Sequence, residues 1–220
     1  MNVLIFGATG MVGLGVLREC LLDPGVDQAV TIGRSATGLQ NPKLREIVRK
    51  DLSDYSDIAS QLTGFNACFF CLGVSSAGMN EETYRRLTYD LTMRAARTLV
   101  KLNPEMTFIY VSGAGTDSSE RGRSMWARVK GKTENDLMAL PFPAVYAFRP
   151  AVIQPLDGIR SKTKAYQILY FFFGWMIPLL KPVLYPKYMT TTKQIGKAML
   201  QVARQGYSKR TLESVDINAV

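Results

Sequence analysis

The feature that most constrains this chain is a glycine-rich turn set between an apolar run and a helical run at its start. Asn2–Phe6 is short, apolar and rich in β-formers, which predicts a buried strand. Apolar residues at helical spacing then follow from Met11 to Leu22. The turn between them reads Gly7-Ala-Thr-Gly10-Met-Val-Gly13. A strand–turn–helix unit of this kind brings backbone close to a pyrophosphate and aims a helix N-terminus at it. The residues expected to bind a dinucleotide here are Gly7, Thr9, Gly10, Met11, Val12 and Gly13.

Strands and helices alternate beyond this unit. Further strands are predicted at Gln28–Ile32, Leu44–Val48, Ala67–Leu72, Thr107–Val111 and Pro143–Phe148. Helices are predicted at Tyr55–Leu62, Glu81–Leu102 and Ser124–Leu140. Strands that are apolar on both faces are typical of a parallel sheet covered on both sides. We therefore expect an α/β fold, a Rossmann-like doubly wound parallel sheet of six or seven strands. The chain would be a single domain, with a cofactor-binding core at 1–155 and a small C-terminal substrate or interaction region at 156–220.

The end of the second predicted strand bears on the choice of cofactor. An acidic residue there would bind the adenosine ribose and favour NAD, but no Asp or Glu occurs between Thr31 and Gln40. Arg34 lies there instead, and its guanidinium could pair with a 2′-phosphate, with Ser35 adding a hydroxyl. The sequence therefore favours NADP, with NAD the weaker candidate and a solvated Arg34 the structural alternative.

Two later strand ends are further candidates for cofactor contact. Asp51 and Leu52 follow the third strand and would flank the adenine, with Asp51 accepting from its amino group. Cys71, Leu72 and Gly73 end the fourth strand at the carboxyl edge of the sheet, where a dinucleotide would pass. Gly73 would permit close backbone approach.

The composition excludes several chemistries. The 220 residues contain no histidine, which removes serine and cysteine triads built on histidine and histidine-based zinc sites. The cysteine count is three, which is typical of a reducing compartment. Cys68 and Cys71 have the CxxC spacing, but on a strand they would point to opposite faces, so we expect core residues and no metal site.

The C-terminal third carries most of the net charge of +9. It also contains an uncharged run, residues 165–180, that is too short to span a bilayer and is interrupted by Gly174 and Pro178. Three interpretations of this run remain open. It could be a pocket or core helix, a peripheral membrane contact through residues 162–187, or a dimer interface. Scattered lysines argue against nucleic acid. The start of the chain lacks a signal-peptide pattern, so we expect a cytoplasmic protein.

Several motifs together resemble a known family. They are the glycine turn, Cys71-Leu-Gly73, Val111-Ser-Gly113, Lys130-Gly-Lys-Thr-Glu134 and Phe148-Arg-Pro150. Over residues 1–155 the chain resembles the atypical short-chain dehydrogenase/reductases, in particular NAD(P)H-binding proteins related to the Tat-interacting protein and to NAD-dependent epimerases. The resemblance implies that Pro150, Ala151 and Val152 line the nicotinamide end.

The resemblance also implies a catalytic set, and this chain departs from it. The family carries a Ser or Thr after the fifth strand and Tyr-x-x-x-Lys on the next helix. Ser112 and Lys130 match as catalytic residues, but the tyrosine position holds Trp126, whose indole cannot serve as a general acid. The implied function is an NADP(H)-dependent oxidoreductase with an atypical active site and an apolar carbonyl substrate. Its acid would be Tyr166, Tyr170 or a water held by Ser112. The alternative is a non-catalytic NADP(H)-binding sensor or regulator, with peripheral membrane association as a further option.

Overall fold

A seven-stranded parallel sheet forms the centre of the molecule. The computed structural model describes residues 1–159 and 185–220. The sheet strands are β1 (Asn2–Phe6), β2 (Gln28–Gly33), β3 (Leu44–Val48), β4 (Ala67–Phe70), β5 (Thr107–Val111), β6 (Ala144–Arg149) and β9 (Thr211–Glu213). Their order across the sheet is β3-β2-β1-β4-β5-β6-β9. The prediction of a doubly wound Rossmann-like sheet is confirmed.

Helices cover both faces of this sheet. They are α1 (Met11–Leu22), a 3-10 helix (Ser56–Leu62), α2 (Glu81–Arg85), α3 (Leu91–Leu102), α4 (Met125–Met138), α5 (Thr192–Gln205) and α6 (Ser214–Ala219). A π-helical turn (Arg86–Asp90) joins α2 to α3, so the single helix predicted over 81–102 contains a local change of winding. The helix predicted at 55–62 is 3-10 rather than α.

The strand sequences explain why two layers of helices are needed. On β1, Leu4 and Phe6 belong to one buried cluster, while Val3 and Ile5 belong to the other. Each successive residue thus buries an apolar side chain on the opposite face, as the two-residue period of a strand requires. On the first face, the ring of Phe70 stacks on that of Phe6 with centroids 4.9 Å apart.

The strand order creates a crevice at the carboxyl edge. β1 pairs with β2 on one side and with β4 on the other. The chain first builds the sheet outward from β1 to β2 and β3, and then crosses back to place β4 on the opposite side of β1. Open α/β sheets bind ligands outside the strand ends at such a switch point. The glycine turn and the segment after β4 meet here.

The C-terminal part completes the fold. β7 (Val152–Gln154) and β8 (Met189–Thr191) form a small parallel sheet, and α5 packs against α1. The Thr191 hydroxyl accepts the Gln194 N–H at 3.0 Å and caps the start of α5. The apolar run at 165–180, with Tyr166 and Tyr170, lies outside the described residues. Within the described ranges, no helix is long and apolar enough to cross a membrane.

Candidate cofactor-binding cleft

A cleft of about 630 Å³ follows the carboxyl edge of the sheet. It runs from the end of β2, past the glycine turn after β1 and the end of β4, to the segments after β5 and β6. Its lining residues are Gly7, Thr9, Gly10, Met11, Val12, Gly33, Arg34, Ser35, Leu52, Cys71, Leu72, Gly73, Val74, Ser75, Val111, Ser112, Gly113, Ala114, Trp126, Lys130, Pro150, Ala151 and Ile153.

The glycine turn is built too tightly for side chains. Gly7 has a φ of 78°, and a Cβ there would lie 2.7 Å from the backbone nitrogen of Leu72. Gly13 does not line the cleft, but a Cβ on it would lie 2.2 Å from the Gly7 carbonyl oxygen. The Gly10 N–H donates to that oxygen at 2.9 Å. These contacts bring the start of α1 against the end of β1.

The start of α1 is left free for an anion. Gly10 is the N-cap and supplies no side-chain cap, and the first turn contains no acidic residue. A helix N-terminus without a side-chain cap offers N–H groups and the positive end of its dipole to a bound anion. The structure therefore brings the six predicted turn residues together, with Gly13 acting behind the cleft rather than in it.

The end of β2 contributes an exposed cation. Arg34 is exposed and lines the cleft beside Gly33 and Ser35. A carboxylate does lie nearby, on Glu46 of β3, but it accepts the Thr37 N–H at 2.8 Å and the Thr31 hydroxyl at 3.3 Å. The Glu46 side chain therefore ties β3 to β2 and to the loop after β2, and it does not line the cleft.

Asp51 is not brought into the cleft, in contrast to the sequence expectation. It is exposed, and its carboxylate accepts the Ser53 N–H at 2.7 Å. Hydrogen bonding from the Ser53 side chain, and next from the Ser53 N–H, holds the pKa of the carboxyl group below its usual range. These bonds fold the carboxylate onto its own loop. Its neighbour Leu52 turns inward and does line the cleft.

The segment after β4 provides the cleft floor. Cys71, Leu72 and Gly73 all line it, as predicted. Cys68 belongs to one core cluster and Cys71 packs against the other, so the prediction that the two thiols point to opposite faces is confirmed. Burial raises the pKa of the Cys71 thiol to about 12, which keeps it protonated and unreactive.

Ser112 and Lys130 meet at the far end of the cleft. Ser112 directly follows β5 and is buried, with its hydroxyl donating to the Phe148 carbonyl at 3.3 Å. The Lys130 ammonium, on α4, donates to the Ser112 carbonyl oxygen. Burial lowers the pKa of Lys130 to about 8, and the Glu134 carboxylate one turn away partly opposes this shift.

Trp126 occupies the cleft wall one helical turn before Lys130. Its ring also contacts the loop after β5, since a Cβ on Gly115 would lie 3.4 Å from it. Tyr110, two residues before Ser112, does not replace the missing tyrosine. It is buried in the core, where desolvation raises its pKa and its hydroxyl is hydrogen-bonded to Thr133.

A buried ion pair fixes α4 against the sheet. Glu134 is 2% exposed, and its carboxylate accepts a hydrogen bond of 3.0 Å from Nε of Arg149 on β6, with a second bond from the same guanidinium. Glu213 on β9 lies 3.7 Å from that guanidinium. The pair sets the position of α4, which carries both Trp126 and Lys130.

Of the three residues after β6 that were expected to line the nicotinamide end, two lie in the cleft wall and one does not. Pro150 and Ala151 line the cleft, whereas Val152 does not. Val152 is 38% exposed, and its N–H donates to the Tyr188 carbonyl at 2.9 Å in the β7–β8 sheet. Because side chains alternate along a strand, Ile153 points inward in its place.

Residues that the sequence reasoning missed extend the lining at each strand end. They are Gly33, Val74, Ser75, Val111, Gly113, Ala114 and Ile153, while Trp126 had been identified only as the occupant of the tyrosine position. Most adjoin a predicted residue, so including the flanking positions of each strand end would have found them. The charged residues of the lining are Arg34 and Lys130, so the described wall of the cleft carries two cations and no acid.

The fold is shared with solved enzymes, one of them in complex with NAD+. The enzyme WbmF of Bordetella bronchiseptica, solved in complex with NAD+, superposes with a TM-score of 0.70 at 14% identity, over 99% of this chain and 76% of that chain. For the UDP-glucose 4-epimerase of Thermotoga maritima the TM-score is 0.69 at 14% identity, over 97% and 76%. An oxidoreductase of the short-chain dehydrogenase/reductase family from Burkholderia thailandensis gives 0.69 at 14% identity, over 99% and 92%. The molecule therefore has the fold of the short-chain dehydrogenase/reductases and NAD-dependent epimerases.

Sequence relatives identify the particular family. The mitochondrial protein FMP52 of Saccharomyces cerevisiae is 30% identical over 167 residues, covering 74% of this chain and 69% of the yeast protein. The fmp52 protein of Emericella nidulans is 28% identical over 204 residues, covering 90% and 84%. The chain belongs to the FMP52 family. No protein-family model matches it.

The relatives overturn the expected location. FMP52 proteins of Saccharomyces cerevisiae, Candida albicans and Emericella nidulans are all named as mitochondrial. The cytoplasmic expectation, which these names contradict, is therefore wrong. It rested on the absence of a secretory signal pattern, which says nothing about mitochondria.

Proposed function

We propose that this protein is an NADP(H)-dependent oxidoreductase of the short-chain type that acts on an apolar carbonyl compound. The observation that carries the proposal is one continuous cleft. The Arg34 guanidinium, the glycine turn and the Ser112–Lys130 pair all line it, in the order in which NADP presents its adenosine 2′-phosphate, diphosphate and nicotinamide.

The residues present fit such a cofactor. At the turn, the absence of side chains at Gly7 and Gly10 leaves the uncapped start of α1 open to a diphosphate. Leu52 would contact the adenine, and Pro150 and Ala151 the nicotinamide end. The bound cofactor supplies a hydride, and Lys130 and Ser112 would hold the ribose and the polar group of the substrate beside it.

The choice of NADP rests on charge. A 2′-phosphate adds negative charge where Arg34 offers an exposed guanidinium, and the carboxylate of Glu46 on the neighbouring strand β3 is engaged with Thr31 and Thr37. Arginine binds phosphate through two parallel N–H groups, whereas a ribose hydroxyl would call for a carboxylate acceptor at this place.

The substrate class rests on the lining near Lys130. Val74, Val111, Trp126 and Ile153 give this lining its apolar and aromatic character, and Ser75 and Ser112 contribute hydroxyls. A pocket with this composition favours an apolar carbonyl compound, with the serine hydroxyl orienting its oxygen.

Cofactor titrations test the proposal. NADPH and NADH affinities are measured on wild type, on Arg34→Ala and on Lys50→Ala, which removes an equal charge from an exposed residue outside the cleft. We expect wild type and Lys50→Ala to prefer NADPH by about tenfold or more, and Arg34→Ala to lose that preference by a change of about 1.5–3 kcal/mol. Equal affinities for both cofactors in wild type would refute the NADP assignment.

A non-catalytic NADP(H)-binding regulator is the second candidate, favoured by one observation. Trp126 fills the wall where the family places its proton donor. Incubation of NADPH with a panel of aldehydes, ketones and quinones separates the two functions. Substrate-dependent NADPH consumption by wild type supports the oxidoreductase. Binding without consumption, unchanged in Trp126→Tyr and in the control Trp126→Phe, supports the regulator.

A further inference from the structure

The cleft needs a proton donor, and its described lining offers few. Reduction of a carbonyl adds a hydride to carbon and requires a proton on oxygen. Among the described lining residues, the thiol of Cys71 is held protonated by burial, and the guanidinium of Arg34 keeps its proton at all relevant pH values. The hydroxyls of Thr9, Ser35, Ser75 and Ser112 do not titrate in the useful range. The amine of Lys130 is the described lining group that can release and regain a proton.

The position of Lys130 suits that task. Its ammonium contacts the Ser112 carbonyl oxygen, and a Cβ on Gly113 would lie 4.0 Å from Nζ. The Ser112 hydroxyl, which would orient the substrate oxygen, belongs to the same residue. The indole of Trp126 lies one turn away and closes the wall on that side.

The surroundings of Lys130 leave its proton labile. Glu134 lies on the same helix, but its carboxylate is paired with Arg149 of β6. Tyr110 of β5 and Tyr84 of α2 are buried and held neutral by desolvation. No second anion therefore stabilises the ammonium among these neighbours, and burial brings its pKa to about 8. A group with a pKa near the working pH both donates a proton and recovers it readily.

We infer that Lys130 is the proton donor of the reaction, in place of the absent tyrosine. The hydride of the reduced nicotinamide forms a new C–H bond at the carbonyl carbon, and the C=O π pair becomes an O–H bond to the proton of Nζ. The nicotinamide is oxidised, the carbonyl compound is reduced to an alcohol, and the neutral amine regains a proton from water. This inference rests on the proposed function and deepens it.

The first test measures the amine without turnover. Competitive amine labelling of the free protein at a series of pH values, read by mass spectrometry, gives the titration midpoint of Lys130. Lys132 on the same helix is the internal control, because its ion pair with Asp136 raises its pKa. We expect Lys130 to become reactive near pH 8 and Lys132 well above it. A Lys130 midpoint at or above that of Lys132 would overturn the inference.

The second test separates proton donation from cofactor holding. Lys130→Arg keeps the positive charge but cannot release a proton. We expect NADPH affinity within about threefold of wild type and a kcat loss of about 10²–10⁴-fold. In wild type, kcat/KM for carbonyl reduction should fall tenfold per pH unit above the Lys130 pKa, and this fall should be absent from Lys130→Arg. Adding Trp126→Tyr to Lys130→Arg should recover part of the rate, whereas Trp126→Phe should not.

The outcomes distinguish the inference from the proposed function. If Lys130→Arg retains wild-type kcat and the same pH dependence, Lys130 holds the ribose only and the inference is wrong, while the oxidoreductase stands. If wild type binds NADPH but reduces none of the panel, the inference also falls and the regulator gains support. If wild type binds no NADPH, both fall together.

Discussion

At the scale of single residues, Gly13 of the glycine turn and Gly73 of the segment after β4 differ in what requires a glycine there. Gly13 is required by packing, since a Cβ there meets backbone atoms of Gly7 and Ala8 at 2.2 to 3.0 Å. Gly73 is not required by packing, since no atom lies within 4 Å of the position that a Cβ would occupy there, and the residue is exposed. If Gly73 is needed at all, the need comes from a ligand.

Alanine substitutions at Gly13 and Gly73 should therefore have different effects, one on stability and the other on cofactor affinity. We expect Gly13→Ala to lower the free energy of unfolding by about 1–3 kcal/mol, because backbone must move to admit the methyl group. Gly73→Ala should leave it within about 0.5 kcal/mol of wild type and reduce NADPH affinity alone. Urea unfolding and NADPH fluorescence titration give the two quantities. Unchanged NADPH affinity in Gly73→Ala would show that the cofactor does not approach this backbone.

Residue-level prediction from sequence succeeded where chain position fixes side-chain direction and failed where a local hydrogen bond does. Gly7, Arg34 and Ser112 follow directly on strands, so the sheet edge places them. The direction of the Asp51 side chain depends on local hydrogen bonding to Ser53, which no periodicity reveals. Val152 could have been corrected from strand alternation, which puts Ala151 and Ile153 on the cleft side.

At the scale of elements, the contact between α1 and α5 shows what close helix packing requires. Cβ atoms on Gly15 and Gly196 would meet Thr192 and Glu19 at 2.6 and 2.8 Å, so glycine on each helix allows the approach. The approach also buries Glu19, whose pKa is raised by desolvation despite Lys193 and Lys197 nearby.

Removing the Glu19 charge should stabilise the protein in a pH-dependent way. The pKa of Glu19 in the folded protein lies above its unfolded value of 4.5. The contribution of Glu19 to the free energy of unfolding is therefore most favourable below pH 4.5 and declines as the pH rises from the unfolded to the folded pKa. We expect Glu19→Gln to be more stable than wild type at pH 7, with the difference shrinking towards pH 4. Urea unfolding at both pH values measures this. Glu105→Gln, at an exposed carboxylate, controls for net charge, and an equal effect of both variants at pH 7 would contradict the explanation.

Element boundaries were predictable to within about two residues wherever apolar runs end at glycine or proline. The central strands, whose apolar residues face both helical layers, are of this kind. The π-helical turn at Arg86–Asp90 could not be predicted, because the spacing of apolar residues tolerates one extra residue per turn. β9 is three residues long with Leu212 as its buried residue, which is too little pattern to detect.

At the scale of the whole molecule, net charge and cleft charge have the same sign. The chain carries +9, and the described cleft lining adds two cations and no acid. A basic molecule with a cationic cleft attracts an anionic ligand over long range, and salt weakens that attraction. The fold and the two cleft cations, Arg34 and Lys130, could be predicted from sequence. The location named for the relatives could not, because the physics of folding carries no information on cellular location.

Cofactor binding should therefore appear as salt-dependent stabilisation of the whole domain. A ligand at 100 times its Kd adds about 2.7 kcal/mol to the folded state. In a domain of this size that raises Tm by about 5–10 °C. We expect NADPH to raise Tm by this amount in low salt and by clearly less in 0.5 M salt, and NADH at the same concentration to raise it less than NADPH. Thermal unfolding of wild type and Arg34→Ala with each cofactor makes the comparison. Because the 2′-phosphate is the group that Arg34 would bind, Arg34→Ala should bring the NADPH shift down to the NADH shift. A larger NADH shift in wild type would reverse the assignment of the cofactor.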